Sequence, residues 1–263
     1  MKREKKKNGS PLSLRRGVRG EGEIIGIIPV RYASTRLPGK PLIKINGKPM
    51  IQHVYESSRK SKKLNRIIVA TDDKRIYDAV ARFWGEAVMT SSKHKSGTDR
   101  IGEAVKLKDL SNTDIIVNIQ GDEPFIDSRN IDKAIGPLIK DKTINVSTLC
   151  CKITDIKEIY DPNVVKVVFD KDKFALNFSR KIPVNSHKHK AVYYKHIGLY
   201  VYRKDYLLKF IKLKPARSEI SEKLEQLRIL ENGDKIKVVV TKIDSHSIDT
   251  KEDLKKLNRT KNE

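Results

Sequence analysis

Apolar residues fall into short, almost unbroken runs in the first half of the chain. The runs at 23–28, 66–70 and 114–119 are dominated by Ile, Val and Ala, and a shorter one covers 86–89. A strand of a parallel sheet is covered on both faces, so it reads as a continuous apolar stretch. The pattern therefore predicts three buried strands, with a further short strand at 86–89.

Helical spacing of apolar residues appears between these runs. It covers 50–60 and 74–84, and a further helix is expected around 101–105. Strands that alternate with helices are typical of an open sheet with right-handed crossovers. We therefore predict an α/β fold with a doubly wound, mainly parallel sheet and helices on both of its faces.

The second half of the chain has a different pattern. The segments 164–169 and 191–202 read as longer strands, for which an antiparallel arrangement is expected. A helix is predicted over 218–230, a strand over 237–240 and a last helix near 253–257. We expect the part after about residue 150 to add a small antiparallel element to the sheet.

The first 22 residues do not fit this pattern. They hold eight basic and two acidic residues, with Gly and Ser but no apolar period. We predict a disordered basic tail over 1–22 and a single domain over 23–263. The tail has no apolar stretch of a secretory signal and no run is long enough for a membrane helix, which predicts a cytoplasmic protein without a membrane partner.

The net charge of +23 raises the alternative of a nucleic-acid-binding protein. Of the 56 basic residues, 17 are Arg and 39 are Lys, and they are spread along the whole chain. Arg is the favoured base-reading residue, and aromatic residues make up only 6%. We therefore predict no nucleic-acid partner. The two cysteines, Cys150 and Cys151, are adjacent, which indicates buried thiols in a strand and not a disulfide or a zinc site.

Candidate chemistry begins where the first strand ends. The loop at 29–42 presents Arg31, Arg36 and Lys40 beside Gly, Pro and Ser residues. Ligands of open α/β sheets bind at the carboxyl ends of strands, and these cations suit a polyphosphate. A solvated basic loop is the alternative interpretation.

Acidic residues follow two later strands. Asp122 stands in the turn after the run at 114–119, and Asp249 precedes the last predicted helix. Magnesium bound to nucleotide phosphates takes one or two protein carboxylates, so both residues are candidate Mg²⁺ ligands. Each could instead cap the helix that follows it.

The motifs, taken in order, resemble those of a known family. They are RYASTRLPGKPL, ATDD, SGTDR, NIQGDEP, NFSR, HIGLY, LEQLR and IDT. From about residue 24 to residue 257 the chain is similar to the 3-deoxy-manno-octulosonate (Kdo) cytidylyltransferases, also called CMP-Kdo synthetases. The resemblance implies a fold of the nucleotide-diphospho-sugar transferase type, whose antiparallel element builds a homodimer interface.

The resemblance also implies roles for individual residues. The nucleotide-binding positions are Arg31, Ser34, Arg36, Lys40, Thr71, Asp72, Lys95, Ser96, Gly97, Thr98 and Arg100. The sugar-binding positions are Gln120, Arg180, His196, Tyr200, Glu225 and Gln226. The catalytic positions are Arg36, Lys40, Asp122 and Asp249, of which the two aspartates hold Mg²⁺. Asp99 and Ser247 differ from the residues most common in the family, which are Glu and Gly.

The implied reaction joins CMP from CTP to the anomeric hydroxyl of Kdo, with release of pyrophosphate, for lipopolysaccharide biosynthesis. The same chemistry on 8-amino-Kdo or a nonulosonate is the nearest alternative. A catalytically inactive nucleotide-binding scaffold is a third hypothesis, which the presence of Lys40, Asp122 and Asp249 disfavours. Without the resemblance, His196 would be read as a packed core histidine.

Overall fold

The fold is described here from a computed structural model, for residues 22–33, 37–182, 192–250 and 252–254. Residues 1–21 of the predicted tail therefore lie outside the described residues. The strands are β1 (Ile24–Val30), β2 (Lys44–Ile45), β3 (Lys48–Pro49), β4 (Arg66–Thr71), β5 (Glu86–Met89), β6 (Ile115–Asn118), β7 (Val146–Lys152), β8 (Lys166–Phe169), β9 (Ala175–Ser179), β10 (Tyr194–Arg203) and β11 (Lys237–Thr241).

In the described ranges, eight helices lie between these strands along the chain. They are α1 (Met50–Ser58), α2 (Lys74–Arg82), α3 (Gly97–Leu107), α4 (Ser128–Lys140), α5 (Ile156–Tyr160), α6 (Lys204–Phe210), α7 (Arg217–Glu222) and α8 (Leu227–Glu231). A 3₁₀ turn covers Lys40–Leu42, and residues 252–254 are helical. Among the described residues no helix combines the length and the apolar character needed to cross a bilayer.

One sheet of nine strands organises the chain, in the order β11-β7-β10-β6-β1-β4-β5, with β8 paired to β10 and β9 paired to β8. The pairs β1–β4, β1–β6, β4–β5 and β7–β11 are parallel. Strand β10 runs antiparallel between β6 and β7, and β8–β9 is an antiparallel pair. The predicted mainly parallel sheet with an antiparallel addition is confirmed.

Apolar side chains cover both faces of the sheet. On one face Ile25, Ile27 and Ile68 pack with residues of α3, α6 and α8, and on the other Ile28 and Val69 pack with residues of α1, α2 and α4. Burial on both faces explains why β1, β4 and β6 read as unbroken apolar runs. The two layers of helices confirm the doubly wound arrangement.

The prediction of one helix over 218–230 was wrong. Helix α7 ends at Glu222, and Lys223 adopts the left-handed conformation with φ 55°. A residue in the left-handed conformation commonly ends a helix, and α8 begins only at Leu227. The break leaves Glu225 and Gln226 in the turn between two helices. The strands β8, β10 and β11 and the helices α1, α2 and α3 lie where the pattern predicted them, within a few residues at each end.

The two cysteines lie in β7, and both are buried, as predicted. Burial raises the pKa of each thiol to about 12. Because only a thiolate is an effective nucleophile, neither cysteine is suited to covalent catalysis.

Candidate active site

The site forms where the carboxyl ends of β1 and β6 meet. The two strands are parallel neighbours, with Ile27 opposite Asn118. Their loops leave the sheet at the same edge, so the basic loop after β1 and the acidic turn after β6 are brought together, as the position of ligand sites in open α/β sheets predicts.

A single ammonium group connects three distant parts of the chain. Nζ of Lys40 lies 2.9 Å from Oδ2 of Asp122 and 3.0 Å from Oδ1 of Asp249, and it also donates to the carbonyl oxygen of Ile248 at 2.9 Å. The Lys40 side chain is only 13% exposed, while the two carboxylates are 29% and 28% exposed. The carboxylates therefore keep a face toward solvent, where a ligand can reach them.

The structure tests the interpretation of Asp249 as a helix cap. The cap of the last helical segment is Thr250, whose Oγ1 accepts from the backbone N–H of Asp253, while the Asp253 carboxylate accepts from the backbone N–H of Thr250. This reciprocal pair is a capping box. The Asp249 side chain instead accepts from Lys40, so it belongs to the site and not to the helix cap.

The two aspartates suit a magnesium ion in their chemistry. Both are hard oxygen donors that already share one cation, Lys40. Magnesium in nucleotide sites uses one or two carboxylates and completes its shell with water and phosphate oxygens. The described residues contain no group of three or more acidic, His or Cys side chains that could enclose a metal alone. The donor set therefore fits a metal that arrives with phosphates.

Two glycines allow the loop after β1 and the turn after β6 to adopt these positions. Gly39, directly before the 3₁₀ turn, has φ 68°, which favours glycine, and its N–H donates to the carbonyl oxygen of Tyr32. A Cβ at Gly121 would lie 2.3 Å from Val30 Cγ1 and 3.2 Å from the carbonyl oxygen of Pro29. A side chain at Gly121 would push the turn away from β1 and displace Asp122.

Two neighbouring cavities open at this edge of the sheet. The first, which we call the Lys40 pocket, has a volume of about 200 Å³ and is lined by Pro29, Val30, Arg31, Lys40, Pro41, Gln120, Gly121, Asp122 and Asp249. The second, the tyrosine cavity, has a volume of about 240 Å³ and is lined by Pro29, Gly97, Thr98, Asn118, Gln120, His196, Gly198, Tyr200, Tyr202, Leu224, Glu225 and Gln226. Pro29 and Gln120 line both, so two ligands in them would lie side by side.

Helix α3 begins at the tyrosine cavity. Ser96 caps it by accepting from the backbone N–H of Asp99, and Gly97 and Thr98 face the cavity. The Thr98 hydroxyl donates to Oε2 of Glu225 at 2.5 Å. Burial raises the pKa of Glu225, although Thr98 and Ser96 partly oppose this shift. The SGTDR motif is thus the first turn of a helix, and its polar groups meet the turn between α7 and α8.

A bulge in β10 shapes the opposite wall. The register with β7 shifts between Ile197 and Tyr200, which leaves Gly198 unpaired in the ladder. The carbonyl oxygen of Gly198 accepts from Nε2 of Gln120 at 2.9 Å, and that of Leu199 accepts from the Thr148 hydroxyl at 2.9 Å. Bulges of this kind re-aim side chains near active sites. Here the freed carbonyl groups fix the orientation of Gln120.

The His196 ring lies among aromatic side chains. Its centroid is 5.1 Å from that of Phe178 and 5.3 Å from that of Tyr200, and its Nε2 is 3.0 Å from the Thr148 hydroxyl. Burial lowers the pKa of His196 to about 3. The imidazole is therefore neutral at physiological pH and can offer a hydrogen bond but no charge.

Some predicted site residues lie elsewhere. Arg100 is buried and donates to Thr90 Oγ1 and to Asp72 Oδ2, so it ties the start of α3 to the end of β4 and lines neither cavity. The guanidinium of Arg180 donates to the carbonyl oxygens of Glu222 and Pro162, outside both linings.

Of the remaining residues that were predicted to bind the nucleotide, some line a cavity and others do not. Arg31 lines the Lys40 pocket, whereas Thr71 is buried at the end of β4. Lys95 and Ser96 lie just before α3. Ser34 and Arg36 lie outside the described residues, so their predicted roles stay predictions.

Several residues of the site were not predicted. Glu123 is buried behind Asp122 and accepts from the Ser245 hydroxyl, and burial raises the pKa of Glu123 to about 7. Thr148 positions the bulge, and Asn118 faces the tyrosine cavity. Only Asn118 carried a signal in the sequence, as a lone amide in an apolar run. The others depend on contacts between distant segments.

Comparison with known proteins agrees with this geometry. The family model described as cytidylyltransferase matches residues 25–236. The 3-deoxy-manno-octulosonate cytidylyltransferases of Geobacter metallireducens and Geotalea uraniireducens are 48% and 49% identical to the chain, over 89% of it and 96% and 97% of their own lengths. That of Syntrophus aciditrophicus is 49% identical over 88% of the chain and 94% of its own length.

Solved structures show the same relationship. A CMP:2-keto-3-deoxy-manno-octonic acid synthetase complexed with CTP superposes with a TM-score of 0.85 and 40% identity, over 91% of this chain and 98% of that one. The 4-diphosphocytidyl-2C-methyl-D-erythritol synthase of Anaerococcus prevotii shares the fold, with a TM-score of 0.59 and 17% identity over 92% of this chain and all of that one.

Fold and site together define a nucleotidyltransferase architecture with a basic loop at the edge of the sheet. Within that class, the chain belongs to the 3-deoxy-manno-octulosonate cytidylyltransferase family.

The neutral His196 leads to a prediction about acid stability. The pKa of His196 is about 3 in the folded protein, against an ordinary value of 6.5. Below pH 6.5 the unfolded chain therefore binds a proton at this residue that the folded protein does not bind. This contribution to stability is complete above pH 6.5 and is lost as the pH falls toward 3. When the pH falls from 7 to 5, we expect the titration of His196 to lower the free energy of unfolding of the wild type by up to about 2 kcal/mol.

Urea unfolding at pH 7 and pH 5 measures this difference. His196→Gln should lose less stability than the wild type over that interval, because glutamine does not titrate. His246→Gln, at a histidine that is 84% exposed, is the matched control and should behave like the wild type. Equal acid sensitivity of the wild type and His196→Gln would contradict the prediction.

Proposed function

We propose that the protein transfers CMP from CTP to the anomeric hydroxyl of Kdo, giving CMP-Kdo and pyrophosphate, a step that supplies lipopolysaccharide biosynthesis. The observation that carries this proposal is the pairing of the Lys40 pocket with the tyrosine cavity across Gln120. The first has the cations and carboxylates that a metal-bound triphosphate needs, and the second is lined by hydroxyl, amide and imidazole groups. The relatives' shared name supports the same reaction.

The chemistry requires little more than placement and charge stabilisation. The oxygen of the anomeric hydroxyl forms a bond to the α-phosphorus of CTP, and the bond from that phosphorus to the bridging oxygen of pyrophosphate breaks. The hydroxyl proton is released to a base or to water. Two reactants held side by side gain much of the rate from orientation alone, and Gln120, fixed by the Gly198 carbonyl, separates their sites by one side chain.

Lys40 and Arg31 supply positive charge for the phosphates. Lys40 is held in place before any substrate binds, so no reorganisation is needed when charge develops on the leaving group. Arg31 is exposed at the rim of the same pocket and can offer a forked pair of hydrogen bonds.

Magnesium is the cofactor that we propose. Asp122 and Asp249 would hold it, and when bound it would neutralise the phosphates and polarise the reacting phosphoryl group. The two carboxylates share one ammonium group, so these three groups together carry a net charge of about −1, which favours a metal cation beside them.

The substrate assignment predicts a defined preference. In a pyrophosphate-release assay with each nucleoside triphosphate and a panel of acidic sugars, CTP with Kdo should be the best pair. The panel includes 8-amino-Kdo and N-acetylneuraminate, which represent the same chemistry on other acidic sugars. Equal turnover with ATP, or with N-acetylneuraminate, would contradict the assignment.

The metal assignment predicts the effect of removing either carboxylate charge. Asp122→Asn and Asp249→Asn should each lower turnover about 100-fold or more, because an amide ligates a hard cation poorly and metal charge stabilisation contributes several kcal/mol. Raising the Mg²⁺ concentration should restore part of the loss. Asp155→Asn, which exchanges the cap of α5, is the control and should keep full turnover.

The outcome for Asp249 is the decisive one. Asp249→Asn with a near-wild-type rate at sub-millimolar Mg²⁺ would remove this residue from the metal site. A loss of activity accompanied by a large fall in the urea midpoint would point to a structural role instead.

We also propose that the protein is a cytoplasmic homodimer. Of the five apolar side chains in the described residues that are more than 60% exposed, four lie on elements after residue 150, namely Ile156, Tyr160, Leu176 and Ile220, and the fifth is Trp84. Apolar surface of this kind marks interaction sites. Sedimentation should give about 60 kDa, twice the chain mass of 30.1 kDa. Leu176→Glu should shift the mass to that of a monomer, and Leu107→Glu, on α3, should not.

A monomeric wild type at micromolar concentration would contradict the dimer. The cytoplasmic location is tested by cell fractionation, and recovery of the protein from another compartment would contradict it.

A further inference from the structure

A buried amide oxygen on the wall of the tyrosine cavity lacks a hydrogen-bond partner among the described residues. Asn118 is the last residue of β6, directly opposite Tyr200 in β10, and it is only 5% exposed. Its Oδ1 atom accepts no hydrogen bond in the described part of the chain. Leaving a buried polar atom unpaired is costly, so a fold keeps one only where something else compensates.

Gln226 lines the same cavity and, within the described ranges, has an unpaired donor where Asn118 has an unpaired acceptor. It is 7% exposed, and its Nε2 atom, a donor, also lacks a partner among the described residues. Asn118 comes from the sheet and Gln226 from the turn before α8, so an unsatisfied acceptor and an unsatisfied donor line one cavity from two elements. Such a pair matches a hydroxyl-bearing ligand, because a hydroxyl both donates and accepts.

The charge of the lining argues against an anionic group at this point. The described residues that line the tyrosine cavity include one carboxylate, Glu225, and no Lys or Arg. A carboxylate group accepts hydrogen bonds only, so it could not satisfy Oδ1 of Asn118. The alcohol groups of a sugar can.

We propose that Asn118 is a specificity-determining residue whose carboxamide oxygen accepts a hydrogen bond from a ring hydroxyl of the acceptor sugar. The inference rests on the proposed function, because it takes the sugar to be the occupant of the tyrosine cavity. A site built around a substrate hydroxyl discriminates strongly against an analogue that lacks it, since the buried partner is then left unpaired.

The unpaired oxygen of Asn118 has a consequence for stability. Because Oδ1 accepts no hydrogen bond from the described residues, an apolar side chain of similar size should not weaken the free protein. Asn130 is the matched control. It is fully buried, its Nδ2 donates to the carbonyl oxygen of Ile243 at 3.0 Å, and its Oδ1 accepts from Thr241 at 2.8 Å.

The experiment compares Asn118→Leu with Asn130→Leu in the full chain. For Asn118→Leu we expect the KM for Kdo to rise about five- to tenfold, the KM for CTP to stay within about twofold, and the urea midpoint to be unchanged or higher. For Asn130→Leu we expect a lower urea midpoint and an unchanged KM for Kdo. Asn118→Ala removes the same oxygen without adding volume and should repeat the KM effect.

Three results would overturn the inference. A fall in the urea midpoint of both Asn118 variants comparable to that of Asn130→Leu would show a structural role. A rise in the KM for CTP alone would assign the amide to the nucleotide, and a wild-type KM for Kdo in both variants would remove it from recognition. If the wild type itself failed to use CTP with Kdo, the proposed function and this inference would fall together.

Kdo analogues that lack the C4 or the C5 hydroxyl provide the second probe. With the wild type, kcat/KM for one of these analogues should be about five- to tenfold lower than for Kdo. With Asn118→Leu, kcat/KM should be nearly the same for that analogue and for Kdo, because the hydrogen bond is already absent. Equal, additive losses with both proteins for both analogues would contradict a direct hydrogen bond.

Discussion

The contact of Lys40 with Asp122 and Asp249 is the interaction on which the site depends. These residues are far apart in the sequence, and each lies in a loop that the sheet alone does not fix. Two carboxylates this close would repel each other without a cation between them. The ammonium group therefore sets the position of the loop after β1, of the turn after β6 and of the segment after β11 at the same time.

Other contacts hold the segment after β11 against the sheet. The backbone N–H of Ile248 donates to the carbonyl oxygen of Asp122, and the hydroxyl of Ser245 donates to Glu123. Lys195, in β10, pairs with Asp244 at 2.5 Å. Irregular backbone needs such partners to stay in one conformation. Asp249 is thus held by a loop that the antiparallel part of the sheet supports, so both halves of the chain contribute to one site.

The tyrosine cavity shows the same dependence in its polar groups. Strand β10 enters between β6 and β7, and its bulge at Gly198 frees the carbonyl groups that hold Gln120 and Thr148. In the described part of the chain, Oδ1 of Asn118 and Nε2 of Gln226 are buried beside this cavity without a hydrogen-bond partner, an arrangement that costs stability in general. Stability given up at a binding site is a common feature of enzymes.

The sequence by itself determined the fold class and the neighbourhood of the site, but not the order of the strands. Continuous apolar runs specify strands that are buried on both faces, and parallel strands deliver their following loops to one edge. Lys40 and Asp122 could therefore be expected together. The role of Asp249 could not, because a helix cap and a metal ligand share the same residue type.

Only the tertiary structure showed that Thr250 is the cap, that Arg100 pairs with Asp72, and that Lys223 breaks the helix predicted at 218–230. These outcomes depend on which partner a side chain meets across the fold, and the local pattern of residues contains no information on that choice.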